Sequence, residues 1–301
     1  MVANQWAPIL QRWENLDSLL GTEFWVVRDD LLPFPLPGNK VRKIESELSA
    51  VSPDVKVIIT NGGVDSNHCR TLAMFGAQRG FKVHLVLHGD PVDDHGIGLQ
   101  ILDSLGASYD IGPADTIADR ISVARSKYTV RGKNPIVFPG GGHSPLGAKA
   151  FRDAGESVFK NCWFDQVFVA SGTGATQGGL ITAAEKYAPQ SSVIGISVAR
   201  DEQRGPLAVD EAARWAGSTD PQVHFTGAYR AGGYGKADAE IYDAVEIAWK
   251  YGLPVDPTYT GKAFAAILDF SRKGELGSSV LFWHTGGLAN WLTHDFSKGG
   301  E

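Results

Sequence analysis

Lys40 has the setting in this sequence that best suits covalent chemistry. It follows a turn rich in proline and glycine, Pro33 to Gly38, and it opens a helical pattern that continues from Ile44 to Val51. A helix would fix the lysine stem, and burial of the ammonium would lower its pKa until the amine can attack an aldehyde. The alternative is a solvated basic face with Arg42 and Lys43, because short runs of charge usually lie in solvent.

Glycine-containing turns follow three of the predicted strands, at the strand ends where open α/β sheets bind ligands. In the first, Asn61 to His68, Ser66 can cap the next helix and leave its first backbone amides for a carboxylate or phosphate. The alternative there is a strand-to-helix turn with a capping serine. Another of these turns, Phe282 to Gly287, contains His284, and an isolated histidine is usually structural.

The remaining turn, Ser171 to Gly179, has the composition of a phosphate-binding loop. Its glycines would let the backbone approach a ligand closely, and Thr173 and Thr176 add hydroxyl donors beside a helix N-terminus. No lysine completes a Walker motif, and the glycine spacing is one residue longer than the dinucleotide-binding pattern. The turn therefore favours a small phosphorylated cofactor over a nucleotide, with a structural glycine turn as the alternative.

These features together indicate pyridoxal phosphate. That cofactor needs an amine for its aldehyde, a cradle for its phosphate and a partner for its ring nitrogen. The sequence offers a lysine nucleophile, a turn suited to a carboxylate and a turn suited to a phosphate, and its two cysteines, Cys69 and Cys162, lack metal-ligand spacing.

The elements that must position these residues alternate between strand and helix patterns. Apolar strand patterns are separated by helical stretches, which is typical of βαβ units and parallel sheets. The strand patterns in the middle of the chain cover Val55 to Thr60, Lys82 to His88, Ile136 to Phe138, Val167 to Ala170 and Val193 to Val198. We predict an α/β fold with two domains, each an open, twisted, mostly parallel sheet with flanking helices.

Composition narrows the class of protein. With 301 residues, 43% hydrophobic and 21% charged, the chain has the composition of a soluble globular protein with one large or two medium domains. A net charge of −6 without a basic stripe makes nucleic acid and anionic membranes poor candidates as partners. We find no membrane-spanning run and no signal-peptide pattern. Scarce cysteine suits a reducing compartment, so we predict a cytoplasmic protein.

Read in order, the motifs resemble the fold-type II pyridoxal-phosphate family that contains D-cysteine desulfhydrase and 1-aminocyclopropane-1-carboxylate (ACC) deaminase. The resemblance covers nearly the whole chain, from Arg28 to Gly287. The matching segments are Gly38-Asn39-Lys40-Val41-Arg42-Lys43-Ile44-Glu45, Ser66-Asn67-His68, Thr173 to Thr176, Gly233-Tyr234-Gly235, Asp256 to Lys262 and His284 to Gly287. One departure is Pro37, where the family usually has a glycine.

The resemblance implies a role for each matching position. Lys40, rather than Lys43, would form the covalent link to the cofactor. The phosphate would be bound by Gly172, Thr173, Gly174, Ala175 and Thr176, the ring hydroxyl by Asn67 and the ring nitrogen by Thr285. Ser66, Asn67, His68 and Thr260 would bind the substrate, and Ser66, Tyr234 and Tyr259 would act in catalysis beside Lys40. Buried structural tyrosines are the alternative for Tyr234 and Tyr259.

The resemblance also implies a division of the chain. Residues 1–42 and 138–301 would form the larger, cofactor-binding domain, and residues 43–137 would form a smaller βαβ domain. The cofactor would lie in the cleft between the two, and the family usually forms homodimers.

The implied reaction is α,β-elimination on D-cysteine, or on a related small β-substituted amino acid, to give pyruvate, ammonia and sulfide. The main alternative is ACC deaminase, which would give 2-oxobutyrate and ammonia. That branch tends to carry Glu directly after the second tyrosine and Leu directly after the late histidine, where this chain has Thr260 and Thr285. A non-catalytic protein that binds the cofactor or senses an effector is a further alternative.

Overall fold

The structure is a computed structural model that describes residues 5–89 and 96–293. These residues form ten strands, eleven α-helices and three short 3-10 helices. The strands are β1 (Leu10–Arg12), β2 (Glu23–Arg28), β3 (Val57–Gly63), β4 (Lys82–His88), β5 (Ser108–Gly112), β6 (Pro135–Val137), β7 (Gln166–Ser171), β8 (Ser192–Ser197), β9 (His224–Thr226) and β10 (Ser279–His284). The helices are α1 (Glu14–Leu20), α2 (Asn39–Ser49), α3 (Asn67–Arg79), α4 (Ile97–Ser104), α5 (Ile117–Val130), α6 (Pro145–Phe159), α7 (Ala175–Tyr187), α8 (Arg204–Ala216), α9 (Ala239–Lys250), α10 (Thr260–Lys273) and α11 (Leu288–Thr293).

The chain divides into two compact units, with boundaries between Lys43 and Ile44 and between Gly142 and His143. The first unit is built on a six-stranded sheet in the order β1-β2-β10-β7-β8-β9. Only β1 pairs antiparallel to its neighbour in this sheet, and the other pairs are parallel. The second unit is built on a four-stranded parallel sheet in the order β5-β4-β3-β6.

Helices cover both faces of the six-stranded sheet. Along β7, Phe168 and Ala170 belong to one hydrophobic core, whereas Val167 and Val169 belong to another. This alternation follows from the two-residue period of a strand, and burial on both sides explains why the strand is apolar throughout. The first core receives the apolar stripe of α9, whose members recur at helical spacing: Ile241, Ala244, Val245 and Ala248.

The second unit has the helix capping that its sequence predicts. The Ser66 hydroxyl caps α3 by accepting a hydrogen bond from the Cys69 amide at 3.3 Å. Gly80 ends the helix in the left-handed conformation, with φ of 73°. Behind β3 and β4, α5 contributes Ala124 and Tyr128 to a small core that also contains Val57, Ile59 and Val86.

The predicted α/β class, with mostly parallel sheets and flanking helices, is confirmed. The short strands β1 and β9 have three residues each and were not predicted, because so few residues show no periodicity. No helix among the described residues is long and apolar enough to cross a membrane.

Candidate active site

Lys40 is the second residue of α2, and the turn before it contacts the end of β10. Gly38 forms an antiparallel bridge with Gly286, and the Asn39 amide donates to the Thr285 carbonyl at 3.0 Å. Thr285, the predicted partner of the ring nitrogen, is itself buried. The structure therefore brings the backbone around Lys40 and Thr285 together, although they are far apart in the sequence.

Glycine is required on both sides of this bridge. A Cβ atom on Gly38, whose φ is 146°, would lie 2.8 Å from the Thr285 carbonyl oxygen. A Cβ atom on Gly286, whose φ is 94°, would lie 2.7 Å from the Gly38 Cα atom. Both distances are shorter than a side chain allows, so the two segments approach each other this closely only because neither residue has one.

The basic residues after Lys40 are buried, so the alternative of a solvated basic face is wrong. Arg42 pairs with the fully buried carboxylate of Asp29 at 2.7 Å. Lys43 is 1% exposed, and its ammonium lies 5.6 Å from the centre of the Phe151 ring. These contacts fix the first turn of α2 against the first unit, which restricts where the half-buried Lys40 can point.

The predicted phosphate turn joins β7 to α7 and lies against the same helix start. Gly174 is the N-cap of α7 with φ of 100°, and a Cβ atom there would lie 2.8 Å from the Ala208 carbonyl oxygen. Asn39 donates its side-chain amide to the Thr176 hydroxyl at 3.2 Å. That bond occupies a lone pair of the Thr176 hydroxyl and leaves its proton for an anion.

The turn fits a phosphate group. Gly174 has no side chain that could cap α7, so the first amides of this 13-residue helix point toward whatever occupies the turn. Ser171, at the end of β7, is 2% exposed, and its hydroxyl has no hydrogen-bond partner among the described residues. Buried hydroxyls nearly always have a partner, so a ligand oxygen is a natural one here.

The two predicted tyrosines contact each other through their hydroxyl groups. Tyr259 donates to the Tyr234 oxygen at 2.9 Å, and their rings meet edge to face with centroids 5.8 Å apart. Tyr234 lies in the loop before α9 and is 37% exposed, whereas Tyr259 precedes α10. Neither tyrosine is fully buried, because Tyr234 is exposed and Tyr259 is half-buried.

Asp256 organises the turn that carries Tyr259 and Thr260. Its carboxylate accepts hydrogen bonds from the amides of Thr258, Tyr259 and Thr260, each at 3.0 Å, and from the Thr260 hydroxyl at 2.7 Å. Complete burial raises the pKa of Asp256, and the four donors oppose that rise. The Thr260 side chain is fully buried in this network.

Lys262 follows in the first turn of α10, and its contacts were not predicted. The residue is fully buried, and its ammonium donates to the carbonyls of Val198, Arg230 and Gly233 at 3.2, 2.8 and 2.8 Å. Burial lowers the pKa of Lys262 to about 8, and the charge of Asp256 opposes that shift. The sequence did contain one signal for these contacts, because Asp256 and Lys262 both belong to the matching segment that contains Tyr259.

His284 has a structural role, as its isolation in the sequence suggested. Its Nε2 atom lies 2.6 Å from the Pro254 carbonyl, and its Nδ1 atom accepts from the Gly286 amide at 3.2 Å. The same Nδ1 atom lies 3.3 Å from a carboxylate oxygen of Asp30. It shapes the turn that presents Thr285.

The predicted substrate residues Ser66, Asn67 and His68 lie at the start of α3 in the second unit. Asn67 accepts a long hydrogen bond of 3.5 Å from Arg70 through its side-chain oxygen. His68 is 1% exposed, and its Nε2 atom lies 3.0 Å from the Thr60 hydroxyl. Gly62 packs beneath the cap, because a Cβ atom there would lie 2.6 Å from the Ser66 hydroxyl.

Comparison with known proteins gives the family. The model of the family described as pyridoxal-phosphate dependent enzymes matches residues 5–286. A Pyrococcus furiosus protein provisionally named 1-aminocyclopropane-1-carboxylate deaminase is 31% identical over 315 residues, covering 94% of this chain and 90% of that protein. The D-cysteine desulfhydrase of Yersinia pestis (strain Pestoides F) is 31% identical over 307 residues, covering 93% of this chain and 91% of that protein.

A solved structure agrees with these relatives. The crystal structure of an ACC deaminase homologue matches with a TM-score of 0.82 and 29% sequence identity, covering 94% of this chain and 90% of that one. The residues that the family model matches contain Lys40, the glycine turn at Gly174 and the end of β10. The chain therefore belongs to the family of pyridoxal-phosphate-dependent enzymes, in the fold-type II group that includes proteins named ACC deaminase and D-cysteine desulfhydrase.

Proposed function

We propose that the protein eliminates sulfide from D-cysteine. The balanced reaction takes D-cysteine and water to pyruvate, ammonia and hydrogen sulfide. The observation that carries the cofactor chemistry of this proposal is the meeting, at the start of α2, of the backbone beside Lys40 with Thr285 and with the phosphate turn at Thr176. A lysine amine, a hydroxyl residue and an anion cradle are the groups that a pyridoxal-phosphate enzyme needs in one place.

Particular residues would hold the cofactor. Lys40 would bind its aldehyde carbon, and Thr285 would contact its ring nitrogen. The backbone amides from Gly172 to Thr176, with the hydroxyls of Thr173 and Thr176, would bind its phosphate. When bound, pyridoxal phosphate supplies an electron sink that acidifies the Cα–H bond of an attached amino acid.

The remaining steps fall to side chains of this chain. The Lys40 amine would remove the Cα proton, and Ser66 and Asn67, at the N-terminus of α3, would bind the substrate carboxylate. Tyr234 would give its proton to the departing thiolate. Tyr259 donates to the Tyr234 oxygen, and a donor at that oxygen stabilises the phenolate that proton transfer leaves behind.

Thr285 favours D-cysteine over ACC. A threonine hydroxyl is neutral, so it cannot keep a proton on the ring nitrogen as a carboxylate would. The electron sink is then weaker, which suffices to expel a good leaving group such as thiolate. Opening an unactivated cyclopropane ring demands more. Thr260 points to the same branch, because the deaminase branch tends to carry Glu at this position.

ACC deaminase is the second candidate. It is supported by the provisional name of the Pyrococcus relative and by the ACC deaminase homologue, whose structure is similar over most of both chains. The two candidates share Lys40, the phosphate turn and the tyrosine pair, so these features do not separate them.

A product assay tests the proposal. The purified protein should release sulfide, pyruvate and ammonia from D-cysteine, little from L-cysteine, and little or no 2-oxobutyrate from ACC. ACC turnover with D-cysteine inert would reject the proposed branch and leave the cofactor site intact. If neither substrate reacts while the cofactor is bound, the alternative of a non-catalytic cofactor-binding or effector-sensing protein gains support.

The site of cofactor attachment has its own test. Borohydride reduction followed by peptide mapping should place the pyridoxyl label on Lys40. The control is Lys40→Ala, which should lose both the label and the visible absorption band of the lysine-bound cofactor. A label on Lys43, which is 1% exposed, would reject the assignment.

The homodimer and the cytoplasmic location stay predictions, the first from the resemblance and the second from the cysteine content. Sedimentation velocity of the purified protein tests the first, and fractionation of the source cells tests the second.

A further inference from the structure

Lys262 occupies a position that ordinarily disfavours a cation. It is fully buried, and burial of an ionised group is costly unless hydrogen bonds compensate. It also lies in the first turn of α10, where the helix dipole repels positive charge. Asp256 offsets part of this cost by placing a carboxylate at the same helix end. An apolar side chain would avoid the cost altogether.

Hydrogen bonds to a complete set of acceptors compensate for the burial of the Lys262 ammonium. A lysine ammonium has three hydrogens, and three backbone carbonyls accept from it, those of Val198, Arg230 and Gly233. The Val198 carbonyl follows directly on β8, whereas the other two belong to the loop between β9 and α9. Lys262 therefore links this loop to the sheet and to α10, and we call these three hydrogen bonds the Lys262 tie.

The tied loop has an unusual backbone. Ala231 has φ of 50°, and it is the one non-glycine residue with positive φ in the part of the chain that the structure describes. Gly232 and Gly233 follow with φ of 84° and 139°. Three such residues in succession turn the chain so that the carbonyls of Arg230 and Gly233 reach the same ammonium. Strained backbone of this kind persists where its surroundings hold it.

Tyr234 follows this turn directly. We propose that Lys262 is a positioning residue, whose ammonium acts as a built-in cation that holds the Arg230–Gly233 turn and so places the Tyr234 hydroxyl against Tyr259. The importance of Tyr234 for the reaction rests on the proposed function. The tie itself is a property of the fold and can be measured without any substrate.

Hydrogen exchange measures the tie. Lys262→Met keeps most of the side-chain volume and removes all three donors. The buried Val198 carbonyl then loses this partner, and the Arg230 and Gly233 carbonyls keep the amides of Gly233 and Lys236 but lose the link to α10. In the cofactor-loaded protein at pH 7, amides of residues 228–237 should exchange at least tenfold faster in the variant. Unchanged exchange in this segment would overturn the proposal.

A matched control separates this effect from the loss of any buried lysine. Lys43→Met makes the same chemical change at a side chain that is 1% exposed and lies over the Phe151 ring. It should leave exchange of residues 228–237 at the wild-type rate. Equal acceleration by both variants would mean that general destabilisation, and not the tie, controls the loop.

Chemical rescue tests whether the loop is held by a cation that donates hydrogen bonds at the position of the Lys262 ammonium. Lys262→Ala leaves a space that matches n-propylammonium, which should restore slow exchange of residues 228–237. n-Propanol has a similar length without the charge, and tetramethylammonium has the charge without donors, so neither should restore it. Rescue by n-propanol as effective as rescue by n-propylammonium would show that the site needs only volume, which overturns the proposal.

Kinetics connect the tie to Tyr234. If D-cysteine is the substrate, Lys262→Met should lower kcat with little change in KM, because the leaving-group step suffers and substrate binding does not. Adding the change to Tyr234→Phe should lower kcat no further, since both act through one hydroxyl. Additive losses would overturn positioning through Tyr234. Absence of sulfide production by the wild type would reject the proposed function and leave the exchange experiments decisive.

Discussion

At the scale of single residues, the hydrogen bond between the two tyrosine hydroxyls gives them different tasks. Tyr259 donates in the bond between them, and the Tyr234 oxygen accepts. Tyr234 is also 37% exposed, so a substrate group can reach it. Of the two, Tyr234 is therefore the better candidate for the proton donor, and Tyr259 its support.

This asymmetry predicts unequal effects of removing the two hydroxyls. Tyr234→Phe should reduce kcat for D-cysteine by about 100-fold or more, the range of general acid catalysis. Tyr259→Phe removes a supporting hydrogen bond, and about 10-fold is expected from roughly 1.4 kcal/mol. Steady-state sulfide release measures both. A larger loss in Tyr259→Phe would reverse the assignment.

The hydroxyl of Thr176 should contribute directly to cofactor affinity. Thr176→Val keeps the side-chain shape and removes a donor to a charged phosphate, worth about 1.5–3 kcal/mol. The dissociation constant for pyridoxal phosphate should rise by about 10- to 100-fold, and equilibrium dialysis measures it.

The matched control for Thr176 lies on the same helix. Thr182 donates its hydroxyl to the carbonyls of Gly178 and Ala213, each at 3.1 Å. Thr182→Val should leave cofactor affinity unchanged. If Thr176→Val retains the cofactor as firmly as Thr182→Val, the phosphate is bound elsewhere.

Some site residues could be predicted from the sequence, and others could not. Lys40 follows a turn at a helix start, and Thr176 lies in the first turn of a helix after a strand, so local patterns were enough to propose both as candidates. Lys262 contacts carbonyls that lie 64, 32 and 29 positions away. Backbone carbonyls are present at every residue and leave no mark in a sequence, so only the fold shows these partners.

At the scale of elements, the turn before α2 and the turn after β10 approach each other closely beside Lys40. Strand β10 lies beside β2 in the sheet. The Gly38–Gly286 bridge then places the turn after β10 next to the turn before α2. The sequence predicted α2 and β10 separately. Their adjacency depends on strand order, which hydrophobic periodicity does not determine.

The bridge predicts that Gly286→Ala damages cofactor binding as well as stability. Its Cβ atom would lie 2.7 Å from the Gly38 Cα atom, so the two turns must separate. The free energy of unfolding should fall by more than the roughly 1–2 kcal/mol of a left-handed alanine, and cofactor affinity should fall with it. Denaturant titration and equilibrium dialysis measure the two effects.

Gly274→Ala is the control for this substitution. Gly274 ends α10 with φ of 68°, and a Cβ atom there meets nothing within 4 Å. This variant should show the backbone cost alone and keep normal cofactor affinity. Equal losses in both variants would mean that the close approach at Gly286 contributes nothing.

At the scale of the whole molecule, buried histidines link stability to pH. Burial lowers the pKa of His84, of His88 and of His143 below the ordinary value of 6.5. The unfolded chain then binds protons at a higher pH than the folded protein does. Stability is therefore present above pH 6.5 and is lost as pH falls from 6.5 toward the lowered pKa values.

We expect the urea midpoint to be lower at pH 5.5 than at pH 7.5, with excess pyridoxal phosphate at both. Each histidine contributes at most about 1.4 kcal/mol per pH unit. His84→Gln should make the difference smaller, because it removes one of these groups and keeps polar contact with Ser108 and Asp110. A midpoint that does not change with pH would contradict this linkage.

The bridge between Gly38 and Gly286 also sets when a newly made chain can first acquire its cofactor. Lys40 leaves the ribosome well before Thr285 and Gly286, which contact the turn that precedes it. The second unit, Ile44–Gly142, is one uninterrupted segment and can fold while the rest is still being made. A nascent chain that stops before β10 would therefore carry Lys40 without its surroundings, and we expect pyridoxal phosphate to attach only after β10 has been made.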